Sequence, residues 1–234
     1  MRDGSDASRP SAAHRPRAVV SWSSGKDSAF ALWEVLRSGE LDVVGLLTTV
    51  TKDFGRVSIH GAREELLHRQ ASALGLPLRK VEIPYPCPNS LYEEAMGRAV
   101  RQMQEDGISR VIFGDLFLED VRAYREARLA SSEIRPIFPL WHRNTTELAR
   151  EMLRSGLRAR VVCLDPRRLP RTFAGREFDS AFLEQLPVGV DPCGENGEFH
   201  TFVTGGPMFV RPIPVVAGPV VERDGFVFAD LIPE

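Results

Sequence analysis

The sequence predicts an α/β protein with a doubly wound parallel sheet and a small C-terminal α+β region. Up to Asp165, short apolar segments alternate with longer segments of helical periodicity, a pattern typical of βαβ units in a parallel sheet. After Pro166, Pro, Gly and Phe become frequent and the alternation ends. We therefore divide the chain into a disordered polar tail over 1–17, a parallel α/β domain over 18–165 and a C-terminal region over 166–234.

The elements follow in chain order. The apolar, β-branched segments predict strands at 18–22, 42–50, 78–83, 110–113, 134–138 and 158–164, which continue one alternating series. Apolar residues at three-to-four spacing predict a first helix that stops at Ser38-Gly39. Further helices are predicted at 61–74, 89–106, 119–131 and 145–155. Residues 207–232 predict β-hairpin material that includes 209–212 and turns at Asp224-Gly225.

Composition excludes several classes of protein. The chain of 234 residues is 43% hydrophobic and 26% charged with a net charge of −2, so it lacks the basic balance typical of a nucleic-acid-binding domain. Cys87, Cys163 and Cys193 are too widely spaced to form a disulfide framework or a zinc site. No segment predicts a signal peptide or a membrane span. We expect a cytoplasmic protein without a membrane partner, and a homodimer remains open.

The turn from the first strand into the first helix carries the strongest chemical signal. It reads SWSSGKDSA over 21–29, which lacks the spacing of a Walker A loop. Ligands of doubly wound sheets bind at the carboxyl ends of strands, and anions bind at helix N-termini. The turn predicts a phosphate-binding loop, with backbone N–H groups, a charged ammonium and a hydroxyl supplied by Ser23, Ser24, Gly25, Lys26 and Ser28.

Two carboxylates near strand ends predict a metal site. Asp27 would repel a phosphate, but it suits a position beside Lys26 or a bound Mg²⁺. Asp115 follows Gly114 at the end of the predicted strand 110–113, where it could hold Mg²⁺ or position an acceptor. A turn or helix-capping Asp115 is the alternative.

The hexapeptide at 23–28 resembles the PP-loop, usually S-G-G-K-D-S, of the ATP pyrophosphatases. This resemblance implies binding of ATP at Ser23, Ser24, Gly25, Lys26, Asp27 and Ser28 with Mg²⁺, cleavage between the α- and β-phosphates, and adenylation of an acceptor oxygen. It also assigns a nucleotide-binding role to 18–165. Ser24 stands where Gly is usual, and a serine tolerates positive φ less well than glycine.

Other motifs resemble the diphthine–ammonia ligase-related branch of these enzymes. They are Gly114-Asp115-Leu116, then Arg122, Tyr124, Arg125 and Glu126, then Pro139-Leu140-Trp141, and GENGEFHTFV over 194–203. The resemblance runs from about Pro16 to the end. It implies an adenine nucleotide α-hydrolase-like fold, substrate binding by 166–234, and ammonia and an acceptor carboxylate as partners.

The stretch over 194–201 is the candidate acceptor side of the site. If it is extended from Glu198, then Glu198 and His200 share one face, a plausible pair for orienting an amine or moving its proton. We assign substrate binding to Glu195, Asn196 and Glu198. The alternative is a glycine-rich turn whose Glu and His side chains make structural hydrogen bonds.

Arg122 and Arg125 are candidates for binding a phosphate or carboxylate of the substrate. They lie three residues apart, so one helical face could present both. Equally, Glu119 and Glu126 could pair with them on a solvated surface. His60 is a weaker candidate for touching a ligand. Cys193 is expected to be a buried cysteine rather than a catalytic thiol.

Together these observations predict an ATP-dependent, AMP-forming ligase that adenylates a carboxylate and amidates it with ammonia. The proposed catalytic residues are Lys26, Asp115, Glu198 and His200, with Asp27 and Asp115 as metal ligands. One alternative is an ATP pyrophosphatase that modifies a tRNA base. Another is an ATP-binding module without turnover.

Overall fold

The computed structural model describes residues 15–53, 56–57 and 61–234, which form two sheets with flanking helices. Within these residues the first sheet comprises β1 (Arg17–Ser21), β2 (Asp42–Thr51), β3 (Arg56–Val57), β4 (Leu78–Ile83), β5 (Arg110–Ile112) and β6 (Arg135–Ile137). Its strands β4, β2, β1, β5 and β6 lie side by side in this order and run parallel, whereas β3 runs antiparallel to β2. The predicted parallel sheet is confirmed.

The helices cover both faces of this sheet. The α-helices among the described residues are α1 (Lys26–Ser38), α2 (Glu64–Leu74), α3 (Asn89–Glu105), α4 (Glu119–Leu129), α5 (Thr145–Arg154) and α6 (Ser180–Glu184), of which α6 packs on Phe199 of the C-terminal region. Helices α1 and α2 pack on one core with Ala18 and Val20, while α3 and α4 pack on another with Val19. Successive residues of β1 point to opposite faces, so both faces must be apolar. This explains the continuous apolar run in β1.

The strand order reverses between β1 and β5. Strands β2 and β4 follow β1 on one side of the sheet, whereas β5 and β6 continue on the other. The connections on the two sides diverge and leave a crevice at the carboxyl ends of β1 and β5, which is where ligands of such sheets bind. The turn after Ser21 and the Gly114-Asp115 turn therefore lie at the same crevice.

The second sheet is antiparallel, in the order β8-β7-β10-β9. Its strands are β7 (Arg158–Leu164), β8 (Phe199–Gly205), β9 (Val215–Arg223) and β10 (Phe226–Pro233). Strands β9 and β10 form the predicted hairpin around Asp224-Gly225. Residues 209–212 lie outside the strands, so their assignment to β-structure was wrong.

The expectation that 158–164 continues the parallel series was also wrong. This segment is a strand, but β7 pairs antiparallel with β8 and β10. Its apolar pattern fits either sheet, and only contacts with distant strands decide between them. The boundary proposed at 165 stays a prediction. Strand β7 precedes this boundary but belongs to the sheet of the C-terminal region.

Two further predictions concern the N-terminal part of the chain. Residues 1–14 of the expected tail lie outside the described residues, but Arg17 belongs to β1, so the tail was drawn too long. His60 also lies outside the described residues. No helix within the described ranges combines the length and the apolar character needed to cross a membrane.

Candidate active site

The predicted phosphate-binding loop connects β1 to α1. Helix α1 begins at Lys26, and its N-cap Gly25 is extended, with φ −91° and ψ 171° and no side-chain capping bond. The first N–H groups of a helix have no partner within the helix. This end of α1 therefore presents donors and the positive end of the helix dipole to the crevice, which suits an anion.

Ser24 adopts a left-handed backbone with φ +67°. It is fully buried, and its hydroxyl donates to the carbonyl oxygen of Ser23. A side chain in this conformation costs about 1–2 kcal/mol relative to glycine. The turn thus has the geometry of a position that suits glycine, and this chain builds it with serine.

Two serine hydroxyl groups make hydrogen-bond contacts within the loop. The Oγ atoms of Ser23 and Ser28 lie 3.1 Å apart, and Ser28 Oγ donates to the Gly25 carbonyl at 3.0 Å. Ser28 therefore bonds within the loop from the first turn of α1, and its contact with a phosphate stays a prediction.

Gln70 fixes the loop from α2, and sequence reasoning missed it. It is fully buried, and its Oε1 accepts from Trp22 Nε1 at 2.9 Å. Its Nε2 donates to the carbonyl oxygens of Ser24 at 3.1 Å and Val203 at 2.7 Å. The available signal was a polar side chain on the apolar face of α2, beside Leu66 and Leu67.

Lys26 is the most deeply placed charged group of the loop. Only 1% of its surface is exposed, and its Nζ lies 2.8 and 2.9 Å from the Asp27 carboxylate oxygens. The same ammonium donates to the Cys193 carbonyl and lies 5.4 Å from the Phe199 ring centre. Burial opposes its charge, but Asp27, assisted by Cys193 and Glu195, outweighs burial, so the pKa of Lys26 is raised.

The backbone of the loop also contacts the C-terminal region. Lys26 N–H donates to Thr201 Oγ1 at 3.1 Å, and Val203 N–H donates to the Ser24 carbonyl at 2.9 Å. Sequence reasoning missed Thr201, although it lies inside the GENGEFHTFV stretch. The structure therefore brings the two strongest motifs of the sequence together.

The proposed metal ligands are both paired with cations. Asp27 binds Lys26, and Asp115 lies 2.8 Å from Arg125 Nε with a further contact of 3.0 Å to Nη2. Among the described residues, no group of three or more His, Cys, Asp or Glu side chains is placed to hold a metal ion. Magnesium bound to substrate phosphates takes only one or two carboxylates, so the role of Asp27 and Asp115 as metal ligands stays a prediction.

Gly114 brings β5 against the loop. A Cβ atom on this residue would lie 2.7 Å from Asp27 C and Ser28 N, closer than the backbone tolerates. Only glycine fits this contact without displacing the start of α1. The contact places Asp115 and Leu116 beside the phosphate-binding turn.

Arg122 and Arg125 contact different partners instead of one shared anion. Arg125 lies over the Phe113 ring at 4.4 Å, in addition to its pair with Asp115. Arg122 lies 4.9 Å from the Phe138 ring and 4.7 Å from the Trp141 ring, and it donates to Glu126 at 2.7 Å. Their role in substrate binding stays a prediction.

Glu195 reaches the crevice from the C-terminal region. Its Oε1 accepts the Leu116 N–H at 2.7 Å, and its own N–H donates to Asp191 Oδ2 at 2.9 Å. Burial raises the pKa of Glu195 to about 7, even though the bond from Leu116 opposes this shift. Asn196, the neighbouring substrate-binding candidate, is exposed.

Glu198 is fully buried beneath this segment. Its Oε1 accepts from Asp191 N–H and from Asn196 Nδ2, each at 3.1 Å, and lies 3.6 Å from Arg168 Nη1. Oε2 has no hydrogen-bond partner among the described residues. These contacts show that Glu198 shapes the segment; contact with a substrate stays a prediction.

His200 is the second residue of β8 and lies on the strand face opposite Phe199 and Thr201. Phe199 and Thr201 are buried and contact Lys26, as the alternation of an extended segment predicts. Burial, assisted by the charge of Lys26, lowers the pKa of His200 to about 4. His200 is therefore neutral at neutral pH, and its catalytic role stays a prediction.

A groove of about 490 Å³ opens beside the loop, between α3 and α4. Its floor includes Ser23 and Thr49 at the carboxyl edge of the sheet. Gly97 of α3 and Tyr92 line its wall, and Arg101 lies further along the same helix. The groove is thus an open approach to the phosphate-binding turn from the α3–α4 face of the sheet.

Comparisons with known proteins agree with this geometry. Residues 16–131 match the diphthamide synthase N-terminal domain, and residues 144–226 match the diphthamide synthase C-terminal domain. The chain is 28% identical to the diphthine–ammonia ligase of Danio rerio, with 91% of each chain covered. It is 26% identical to that of Mus musculus and 24% identical to that of Homo sapiens, in each case with 88% of this chain and 85% of the relative covered. The chain belongs to the diphthamide synthase family of PP-loop, ATP-dependent amidating ligases.

Proposed function

We propose that this protein uses ATP to adenylate an acceptor carboxylate and then amidates it with ammonia, releasing AMP and pyrophosphate. The observation that carries this proposal is the contact between the PP-loop and the segment over 193–203. Lys26 bonds to Cys193 and Thr201, and the Ser24 carbonyl accepts from Val203 N–H. An oxygen of a carboxylate is a poor leaving group, whereas AMP departs readily. The names of the relatives make diphthine the first acceptor to test.

The phosphates of ATP would bind the uncapped N-terminus of α1. Lys26 N–H is bonded to Thr201, so the donors that converge there are the N–H groups that follow it in the first turn and the hydroxyls of Ser23 and Ser28. Lys26 supplies positive charge beside the loop, where it would stabilise the departing pyrophosphate. Asp27 and Asp115 would supply the one or two carboxylates that a Mg²⁺ ion bound to the phosphates needs.

The adenosine would occupy the groove between α3 and α4. This groove reaches Ser23, whereas the opposite side of the loop is closed by Gln70 and β8. Tyr92 offers an aromatic wall at the end near the carboxyl edge of the sheet. An adenine ring there would leave the α-phosphate near the loop and the acceptor side open towards Glu195.

The two buried cysteines, Cys163 and Cys193, do not favour the alternative of base thiolation. Cys193 is buried, and its thiol donates to the Thr145 carbonyl at 3.4 Å. Burial raises the pKa of the Cys193 thiol and raises that of Cys163 to about 12. A reactive cysteine needs an accessible thiolate, and neither residue provides one.

The test is product analysis with ATP, Mg²⁺, ammonium and a diphthine-bearing acceptor. We expect AMP, pyrophosphate and amide in equal amounts, and AMP formation that depends on the acceptor. ADP and orthophosphate would contradict the proposal. Nucleotide binding without turnover on a panel of carboxylates would instead support a module that only binds ATP.

A further inference from the structure

Glu195 lies over the crevice where the reaction would take place. Its Oε1 accepts from Leu116 N–H at 2.7 Å. Leu116 follows the Gly114 turn, which packs directly on the backbone of Asp27 and Ser28. The carboxylate is thereby fixed beside the first turn of α1 by two backbone contacts.

One oxygen of Glu195 remains available. Oε1 is occupied by Leu116, but no hydrogen bond to Oε2 is made by a described residue. Glu195 is only partly buried, whereas Glu198 in the same segment is fully buried. Of the two glutamates, Glu195 is therefore the one that a small solute in the crevice can reach.

The charges around Glu195 come from all the elements that meet there. Asp27 from α1 and Asp115 from the β5 turn oppose its ionisation, and Lys26 favours it. Together with burial they leave the pKa of Glu195 at about 7. At neutral pH the side chain is thus about half ionised and can accept a proton, the condition for an efficient general base.

We infer that Glu195 is the general base that takes a proton from ammonium before the amide bond forms. This inference rests on the proposed amidation. Ammonium has no lone pair, and it is the predominant form at neutral pH, so it must lose a proton before it can attack. Glu195 Oε2 accepts this proton, and the nitrogen lone pair of ammonia forms the C–N bond with the acyl carbon of the adenylate.

The remaining bonds then balance. The bond between the acyl carbon and the phosphate oxygen breaks, and its electron pair leaves with AMP. The nitrogen loses a second proton to water as the amide forms. This role differs from the one predicted for Glu198 and His200, because Glu198 is buried beneath the segment and His200 has a pKa of about 4.

The test compares two nucleophiles at pH 7 in the full-length wild-type protein, Glu195→Gln and Glu198→Gln. Hydroxylamine is mostly unprotonated at this pH and needs no base, whereas ammonium does. In Glu195→Gln we expect amide formation from ammonium to fall roughly a hundredfold. Hydroxamate formation and ATP–pyrophosphate exchange should stay within a few-fold of wild type, because glutamine keeps an acceptor for Leu116 N–H.

Glu198→Gln is the matched variant, because Glu198 was itself predicted to orient or deprotonate the amine. If Glu198 only shapes the segment, its loss should affect both nucleophiles equally. A loss confined to ammonium in Glu198→Gln would give the role of base to Glu198 and overturn the inference. An equal loss for both nucleophiles in Glu195→Gln, or no loss for either, would overturn the inference. In the wild type, the ratio of amide to hydroxamate should rise with pH up to about 7 and then flatten, as Glu195 ionises. A ratio that follows only the free ammonia concentration would also overturn it. Absence of pyrophosphate exchange in the wild type would overturn the proposed function itself.

Discussion

The ammonium group of Lys26 donates to the backbone carbonyl of Cys193, across 167 residues of sequence. This bond joins the PP-loop to the segment that carries Glu195 and Glu198. Its donor is buried and charged, so the bond is a strong one. Lys26 therefore connects the nucleotide site to the proposed acceptor site. A change in the position of Lys26 would alter the geometry of both sites.

Lys26→Ala should lower ATP–pyrophosphate exchange by roughly two to three orders of magnitude, the loss expected for one strong electrostatic contact in a site. Arg37→Ala, in the last turn of the same helix and exposed, should keep the wild-type rate. Thermal unfolding of both variants separates catalysis from folding. A folded Lys26→Ala protein with near-normal exchange would remove Lys26 from the mechanism.

Ser24→Gly should stabilise the protein. The residue has φ +67°, and glycine relieves a strain of about 1–2 kcal/mol, partly offset by loss of the hydroxyl bond to the Ser23 carbonyl. Urea unfolding should show a gain of up to about 1 kcal/mol. Ser24→Ala keeps the strain and loses the bond, so it should be less stable than the wild type. A glycine variant less stable than the alanine variant would contradict this account of the turn.

Gly97→Leu should weaken ATP binding without harming the fold. An added Cβ atom meets only the Arg101 guanidinium, at 3.6 Å, and Gly97 lines the groove. A leucine would therefore occupy the space proposed for adenosine, and the KM for ATP should rise by at least tenfold, about 1.4 kcal/mol. Gly97→Ala adds little volume and should gain up to about 1 kcal/mol of helix stability. Unchanged ATP affinity in Gly97→Leu would place the adenosine elsewhere.

His200 should make stability depend on pH in a defined window. Its pKa is about 4 in the folded protein and 6.5 ordinarily, so between these values the unfolded chain binds a proton that the folded protein does not. The contribution of neutral His200 to the free energy of unfolding is fully present above pH 6.5. It is lost as the pH falls towards 4. The raised pKa of Glu195 acts in the opposite direction, but it is shared by a His200→Gln variant and cancels in the comparison.

The measurement is the free energy of unfolding in urea at pH 7 and pH 5, for the wild type and for His200→Gln. The wild type should lose more stability than the variant over this interval. Equal losses in the two proteins would show that His200 is protonated as readily in the folded protein as in the unfolded chain.

The position of the PP-loop could be predicted because a strand, a turn and a helix start lie next to one another in the sequence. The parallel sheet followed from the same local alternation. The sheet to which β7 belongs could not be predicted, since its apolar pattern suits both sheets and its partners β8 and β10 lie far along the chain. Local patterns also gave no sign that Ser24, the departure from the usual loop, would be held by Gln70.

The motifs that form the site could be predicted from the sequence, but only some of the contacts between their side chains could be. Glu198 and His200 lie in a segment that does reach the PP-loop, yet the side chain that contacts the turn after β5 is Glu195, at Leu116. Two glycines, at 194 and 197, turn this segment so that alternation begins only at Phe199. The sequence marks such turns, but the directions of the side chains within them depend on distant backbone partners such as Leu116.

The most direct test of the central claim follows oxygen from the acceptor into AMP. The acceptor carboxylate is labelled with ¹⁸O, the protein is supplied with ATP, Mg²⁺ and ammonium, and the AMP is analysed by mass spectrometry. Adenylation of the carboxylate predicts one ¹⁸O atom in each AMP formed and one in each amide. AMP without label would contradict the account, because the nucleotide would then have been cleaved by water and not by the acceptor.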